Sequence, residues 1–360
     1  MWKLGLVSSE KWCCFLASLF PKVFCSLTLT WSQLVMLFIV PKYVDSKFQI
    51  YTQFIATNSL YLLCIYTYFK IIYVGPGSPL DYPQLKIRNL NAENPYNKHL
   101  PLSEAPPEFM TIHTRKFGGN QGFRFCTKCD CWKPDRTHHC SSSGKCILKM
   151  DHYCPWFAIC IGFFNYKFFV QFLCYIATYC WIVFAITVAV LYNFLFSDKY
   201  SDQYLSINLV VQCVLASTFA FTVTIFASFS VYLMSRNLST IEFQEQRWNY
   251  RGANNYNYEF DGNGKRKQLA NIFDLGFKEN LKQVLGTSWT SWLLPVDVNV
   301  RIADSGFRNG INFKVNEEVY RKWCSNAELN EQLNQQLREY SARSRRERES
   351  SREQTQIEDV

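Results

Sequence analysis

Four apolar stretches, 23–40, 50–74, 168–196 and 207–234, decide what this chain can fold into. In a bilayer every backbone polar group must be satisfied within its own segment, so a span of about 20 mostly apolar residues folds as a helix. The last two stretches contain no Asp, Glu, Lys or Arg. The second carries Gln53 and Asn58, and its Lys70 can snorkel to an interface. The first is short, with Lys22 and Pro41 at its ends. A cleaved signal peptide is the rival reading of the N-terminus; Lys22 inside the region and the missing small-residue cleavage pattern speak against it. The expected fold is an all-α polytopic membrane protein with four transmembrane helices.

Loop charge orients the spans. Residues 75–167 carry twelve Lys and Arg and residues 235–360 carry nineteen, whereas the loop between spans three and four carries only Lys199. Basic loops stay in the cytosol, so the N-terminus, the long second loop and the C-terminal region are all expected there. The same logic, with attraction to an anionic leaflet, explains the net charge of +9 without invoking nucleic acid.

Between spans two and three lies FCTKCDCWKPDRTHHCSSSGKCILKMDHYCPWFAICIGFFNYKFF, residues 125–169, which holds seven of the fifteen cysteines and three of the five histidines. In a reducing compartment clustered Cys and His read as metal ligands or reactive thiols, not disulfides. Cys126 and Cys129, followed by His139 and Cys146, suit tetrahedral closure around a structural zinc. Such a metal would supply folding energy to a segment with little apolar core of its own. Cys154 follows Asp151 and His152; a thiol reacts as its thiolate, an imidazole can generate it, and a carboxylate can fix the imidazole tautomer.

These residues resemble the DHHC protein acyltransferases, integral-membrane enzymes that S-palmitoylate proteins. The resemblance runs from about Gly75 to Pro295. It includes Lys133-Pro134-Asp135-Arg136, His138-His139-Cys140, the block Asp151 to Trp156, Cys160, Gly162, Asn165, Thr240-Ile241-Glu242, and Phe273, Gly276, Asn280 and Gly286 of the C-terminal aromatic-cap motif. The wording GPGSPLD, PPEFM and GTSWTSWLLP is closest to the fungal vacuolar branch, which modifies an armadillo-repeat protein.

The resemblance implies that Cys154 takes palmitate from palmitoyl-CoA and passes it to cysteines of membrane-associated proteins. It implies His152 as general base, Asp151 as its orienting partner and Thr240 as support. It also implies an acyl chain lying among the helices near Tyr179, contacts of the donor with Trp156, and Lys133 and Arg136 as partners of the CoA phosphates; a solvated basic loop is the plain alternative for those two. The vacuole membrane is the expected location, with Golgi or ER membrane as the alternative.

Three departures stand out. The family's second zinc site would use Cys140, residue 143, residue 153 and Cys160, but this chain has Ser143 and Tyr153 there. Neither is a usual zinc ligand, so one zinc is expected and a second, on Cys140 and Cys160, is doubtful. Cys131 is one extra thiol nearby. Asp-His-His-Cys has become Asp-His-Tyr-Cys, with the base His152 retained, and the Asp-Pro-Gly after span two reads Gly75-Pro76-Gly77. The same residues admit two other classes: a non-catalytic, zinc-folded membrane adaptor, and a RING-type ubiquitin ligase, which needs eight ligands where one full set of four is present.

The remaining chain divides as residues 1–22, where juxtamembrane Cys13 and Cys14 can be palmitoylated but read more commonly as apolar filler; spans at 23–74; the loop 75–167 with its catalytic module at about 124–167; spans at 168–234; a C-terminal region 235–323; and a polar tail 324–360 expected to be disordered, with a short amphipathic helix on Leu329, Leu333 and Leu337 as the alternative. Ser239 to Glu242 also fits a capping box, and 269–296 is expected to form a small helix against the membrane-proximal core.

Overall fold

The computed structural model describes residues 3–87, 106–113, 124–200, 203–247, 258–260, 265–268, 270–302 and 306–358. Helices α1 (Lys3–Phe38), α2 (Lys47–Val74), α3 (Tyr166–Phe196) and α4 (Ile207–Ser235) are the four predicted spans. Each is apolar and long enough; the 31 residues of α3 rise roughly 46 Å, against a hydrocarbon core of about 30 Å. The helix α1 runs continuously from Lys3 through the expected boundary near residue 23. The side chains of Cys13 and Cys14 lie outside those described.

Local chemistry sets the ends of these helices. A turn led by Pro41 follows α1, and the Ser46 hydroxyl caps α2 by accepting from the Gln49 N–H. Gly75, at φ 67°, stops α2, and Gly77, at φ 82°, lies where a Cβ would come within 2.3 Å of the Phe164 ring. The predicted turn is therefore also a packing site.

Within the bundle α3 packs chiefly on α4 and then on α2. A polar layer crosses it. Gln33 Nε2 donates to Asn58 Oδ1 at 3.0 Å, Gln212 Nε2 donates to Ser32 Oγ at 2.7 Å, and the Tyr179 hydroxyl lies 2.9 Å from Ser32 Oγ. Polar groups in spans point inward for this reason.

The cysteine-rich module is three short antiparallel hairpins: β1 (Phe125–Cys126) with β2 (Cys131–Trp132), β3 (His138–Cys140) with β4 (Lys145–Ile147), and β5 (His152–Cys154) with β6 (Ile159–Ile161). Strands of two or three residues leave the all-α class intact. After α4 come α5 (Thr240–Arg247), the hairpin β7 (Tyr258–Phe260) with β8 (Arg266–Gln268), α6 (Phe277–Leu285), α7 (Trp289–Leu293) and α8 (Glu317–Glu358). The expected helix against the membrane-proximal core is α6, whose Leu281, Val284 and Leu285 share a cluster with Cys154, Phe157 and Phe169.

The tail expectation is corrected: 324–358 continues the 42-residue α8 instead of being disordered. From 317 to 358 the sequence has no Gly or Pro and is rich in Glu, Arg and Gln. Such residues lose little rotamer freedom in a helix, and pairs such as Lys322 with Glu318 at 2.9 Å add support.

Candidate active site and metal centre

The β5–β6 hairpin carries the reactive residues at the end of the bundle. Register places Cys154 opposite Ile159 and His152 opposite Ile161, and the Asp151 N–H donates to the Ile161 carbonyl. Asn165 pins this hairpin to α2. It accepts from the Gly162 N–H at 2.8 Å and donates to the carbonyls of Cys160 and Ile71. Gly162 has no room for a Cβ, which would sit 2.7 Å from Ile147 and 2.9 Å from the Leu148 carbonyl oxygen.

Asp151 is buried at 4% exposure, and three bonds compensate its charge. His152 Nδ1 lies 2.7 Å from Oδ2, and Thr240 donates its hydroxyl to Oδ2 and its N–H to Oδ1, both at 2.8 Å. Bonding Nδ1 to the carboxylate leaves Nε2 for Cys154, with which His152 is hydrogen-bonded. Burial pushes the imidazole pKa down, but the bonds and charges of Asp151 and Cys154 outweigh it and raise the pKa to about 9. An imidazolium beside a thiol favours the thiolate. Cys154 is 6% exposed and packs with Tyr68, Phe157, Phe169 and Leu173 at the head of the spans. Tyr68 also donates to the Trp156 carbonyl at 2.8 Å, while the Trp156 side chain is exposed.

Thr240 holds this site because its own helix is well started. Ser239 and Glu242 form a reciprocal capping box: Glu242 N–H donates to Ser239 Oγ at 3.2 Å, and Ser239 N–H donates to Glu242 Oε2 at 2.8 Å. The predicted capping box is thus formed by Ser239 and Glu242, and the adjacent Thr240 bonds Asp151.

Arg136 is not placed to meet a CoA phosphate, and that expectation is corrected. It is 4% exposed, and its guanidinium is bidentate to Glu242, with Nε to Oε1 and Nη2 to Oε2 both at 2.7 Å. It also donates to the Asn237 side chain and carbonyl, and stacks over Phe273 at 4.6 Å and Phe313 at 5.3 Å. A buried fork so fully used is a clamp between the module and the C-terminal region. Losing one partner of such a buried pair costs roughly 3–5 kcal/mol. Lys133 is half-buried on the same loop. Tyr179 lies 13 residues into α3, roughly 20 Å from its start, in the polar layer of the bundle.

The first metal site assembles as predicted. Ligand atoms of Cys126, Cys129, His139 and Cys146 all lie within 4.8 Å of one another, and His139 Nδ1 is 3.6, 3.2 and 3.9 Å from the three sulfurs. Tetrahedral zinc with Zn–S near 2.3 Å and Zn–N near 2.05 Å needs edges of about 3.6 Å, so the residues fit the ion. Burial, with the charges of Lys128 and Lys133, holds His139 low and therefore neutral, as a ligand must be. Burial and the nearby Cys146 push Cys129 up to about 12, a penalty that a dication would reverse.

At the second position the departure is complete. Cys140 and Cys160 are hydrogen-bonded to each other, and Ser143 Oγ sits 3.4 Å from Cys160 Sγ. Tyr153 pairs with Cys160 across the ladder but is 36% exposed. Burial raises the Cys140 thiol, but bonds from Cys160 and Ser143 outweigh it and lower it; burial and then Cys140 push Cys160 up to about 12. Cys131 does not complete this site. It lies fully buried opposite Cys126 and is hydrogen-bonded to Cys146, behind the first site.

The comparisons agree with this geometry. The pattern of the DHHC palmitoyltransferase family matches residues 119–247. Palmitoyltransferase PFA3 of Candida albicans is 58% identical over 362 residues, covering 96% of each chain. This chain is a member of the DHHC palmitoyltransferase family. Palmitoyltransferase PFA3 of Debaryomyces hansenii is 45% identical, covering 96% of this chain and 94% of that one, and that of Saccharomyces cerevisiae is 36% identical, covering 88% and 91%. It is a protein S-palmitoyltransferase with four membrane spans.

Two features of the site were not read from the sequence. The Arg136 clamp needed the positions of Asn237, Phe273 and Phe313, which lie about 100 residues or more away; the Glu242 of the resemblance was the only signal for it. The role of Tyr68 as the floor beneath Cys154 had no signal beyond its place in an apolar span.

Proposed function

We propose that Cys154 is the acyl-carrying nucleophile and that palmitoyl-CoA is the donor, with the catalytic face in the cytosol. The observation that carries this reading is the ordered chain Thr240, Asp151, His152, Cys154, ending at an apolar cluster continuous with the spans. The Cys154 sulfur attacks the thioester carbonyl carbon, the carbon–sulfur bond to CoA breaks, and the CoA thiolate takes the imidazolium proton. His152 then accepts the proton of an incoming substrate cysteine, whose sulfur attacks the Cys154 thioester and releases the enzyme thiolate. Each step exchanges one thioester for another, so positioning and exclusion of water are the enzyme's main contributions.

The acyl chain lies among the spans, and the layer of Ser32, Gln33 and Tyr179 closes the far end. Lys133 and Trp156 flank the donor at the mouth. Zinc on Cys126, Cys129, His139 and Cys146 holds the module's fold and takes no part in the acyl exchange. The substrates are cysteines of membrane-associated proteins. A vacuolar membrane location and the armadillo-repeat partner both rest on the resemblance to the fungal vacuolar branch.

The test is transfer in proteoliposomes from labelled palmitoyl-CoA to a cysteine peptide tethered to the outer leaflet. Transfer by the wild type and none by Cys154→Ala is expected. Equal transfer by both would refute the assignment of Cys154.

A further inference from the structure

A cavity of about 700 Å³, outside the catalytic constellation, opens between the module, α6, α7 and the segment 296–314. Its lining includes Lys149, Lys282, Gln283, Arg308 and Lys314. The two carboxylates on its wall are already engaged: Glu279 with Lys282 at 2.6 Å and Asp297 with Lys70 at 2.9 Å. Arg308 and Lys314 have no salt-bridge partner among the described residues; Lys314 lies over the Phe307 ring at 5.5 Å. The Gln283 Nε2 is buried without an acceptor, although the side-chain oxygen accepts from Asn237. Glu279 also faces Lys314, yet the wall keeps more cations than carboxylates, and with an unmet buried donor such a hollow calls for an oxyanion.

The cavity also has a fixed depth. The last carbonyls of α7 are taken up by α3: Gln171 Nε2 donates to Trp292 and Leu294, the Tyr175 hydroxyl donates to Leu293, and Lys167 Nζ reaches Val296 at 2.8 Å. These α3 residues occupy its first three turns. With the roughly 16 Å by which α3 exceeds the hydrocarbon core divided evenly between its two ends, the core begins near Gln171. The α7 helix therefore lies along the interface. Phe307 in the cavity wall is 50% exposed, and Trp289, between the lining residues Ser288 and Thr290, is 73% exposed. An apolar rim at membrane depth enclosing a basic hollow matches an interfacial lipid site better than one for a water-soluble anion.

We propose that this cavity binds the headgroup of a phosphomonoester-bearing phospholipid, of the size of a phosphorylated inositol, drawn from the leaflet at which Cys154 works. Arg308 and Lys314 meet the phosphate, Gln283 donates to it, and the apolar rim lies against the acyl chains. The inference rests on the membrane placement of α3, not on the acyl-transfer reading.

The test titrates the full chain, in neutral detergent, with short-chain phosphatidylinositol phosphate and follows binding by calorimetry. Saturable binding is expected, weakened at least about tenfold in the double variant Arg308→Gln, Lys314→Gln and kept in Arg308→Lys, Lys314→Arg, which controls for folding. Undiminished binding by the charge-removed variant would overturn the proposal. Equal affinity for free inositol phosphate, or displacement by CoA, would overturn the lipid assignment in favour of a soluble ligand. Self-acylation of the charge-removed variant, read in parallel without added lipid, is expected to equal wild type. A wild type that binds lipid but does not self-acylate would strike the acyl-transfer reading and leave this one standing.

Discussion

The hairpin β3–β4 contributes to both Cys/His clusters, yet they are held together by different forces. His139 and Cys146 face each other across the ladder and join Cys126 and Cys129 in a tetrahedral set. Next door, Cys140 and Cys160 meet with only Ser143 and the half-turned Tyr153 for company. Their surroundings differ as well. The apolar group around the first cluster is the cysteines themselves with Leu80. The second packs on fully buried Ile147, and its β6 strand is braced by Asn165 and feeds Ile161 into the core beneath Cys154. A metal is dispensable where packing and buried hydrogen bonds already fix the hairpin, and needed where they do not.

The strongest way to break this comparison is to remove a ligand from each cluster. Cys126→Ser is expected to abolish metal binding and unfold the module, since structural zinc contributes about 10 kcal/mol or more. Cys160→Ser is expected to cost only about 1–2 kcal/mol, the worth of a buried hydrogen bond. Elemental analysis and thermal unfolding read both, and the wild type is expected to carry one zinc per chain; two would contradict the account of the second cluster. The converse change sharpens the same point: Ser143→Cys with Tyr153→His restores two ligands, and the zinc count is expected to rise from one to two.

A smaller effect tests whether Thr240 and Asp151, and not a second metal, hold the catalytic strand. Thr240→Val is expected to slow self-acylation roughly tenfold, within the range for positioning a general base. Asp151→Asn should go further by removing the charge that raises His152. Because the folded His152 sits near 9, above its ordinary 6.5, the stability from this pair is fully present below about 6.5 and is lost as pH rises through about 9. Asp151→Asn should therefore flatten the fall of melting temperature with pH across that window. The smallest effect is Cys131→Ala. It removes a fully buried sulfur bonded to Cys146 and should cost about 1 kcal/mol with the zinc retained.

Much of this was legible in the chain. The four spans follow from hydropathy alone, and the ligand spacing of the first zinc site is local enough to survive without coordinates. The replacement of two family ligands by Ser143 and Tyr153 was equally visible in the chain. What the sequence hid was of two kinds. Arg136 looks in one dimension like any basic loop residue, and only its burial against Glu242, Asn237 and two rings reveals a clamp. The tail from 324 onward is polar enough to suggest disorder, but composition reports on burial, whereas α8 draws on propensity and the absence of breakers.

The central claim, that Cys154 carries the acyl group, is tested most directly by peptide mapping of the metal-loaded wild type after brief exposure to palmitoyl-CoA. The account predicts a hydroxylamine-labile palmitoyl mass on the peptide bearing Cys154, absent in His152→Ala over the same interval. A folded, zinc-containing protein whose Cys154 stays unmodified, or whose palmitate sits only on another cysteine, would contradict it.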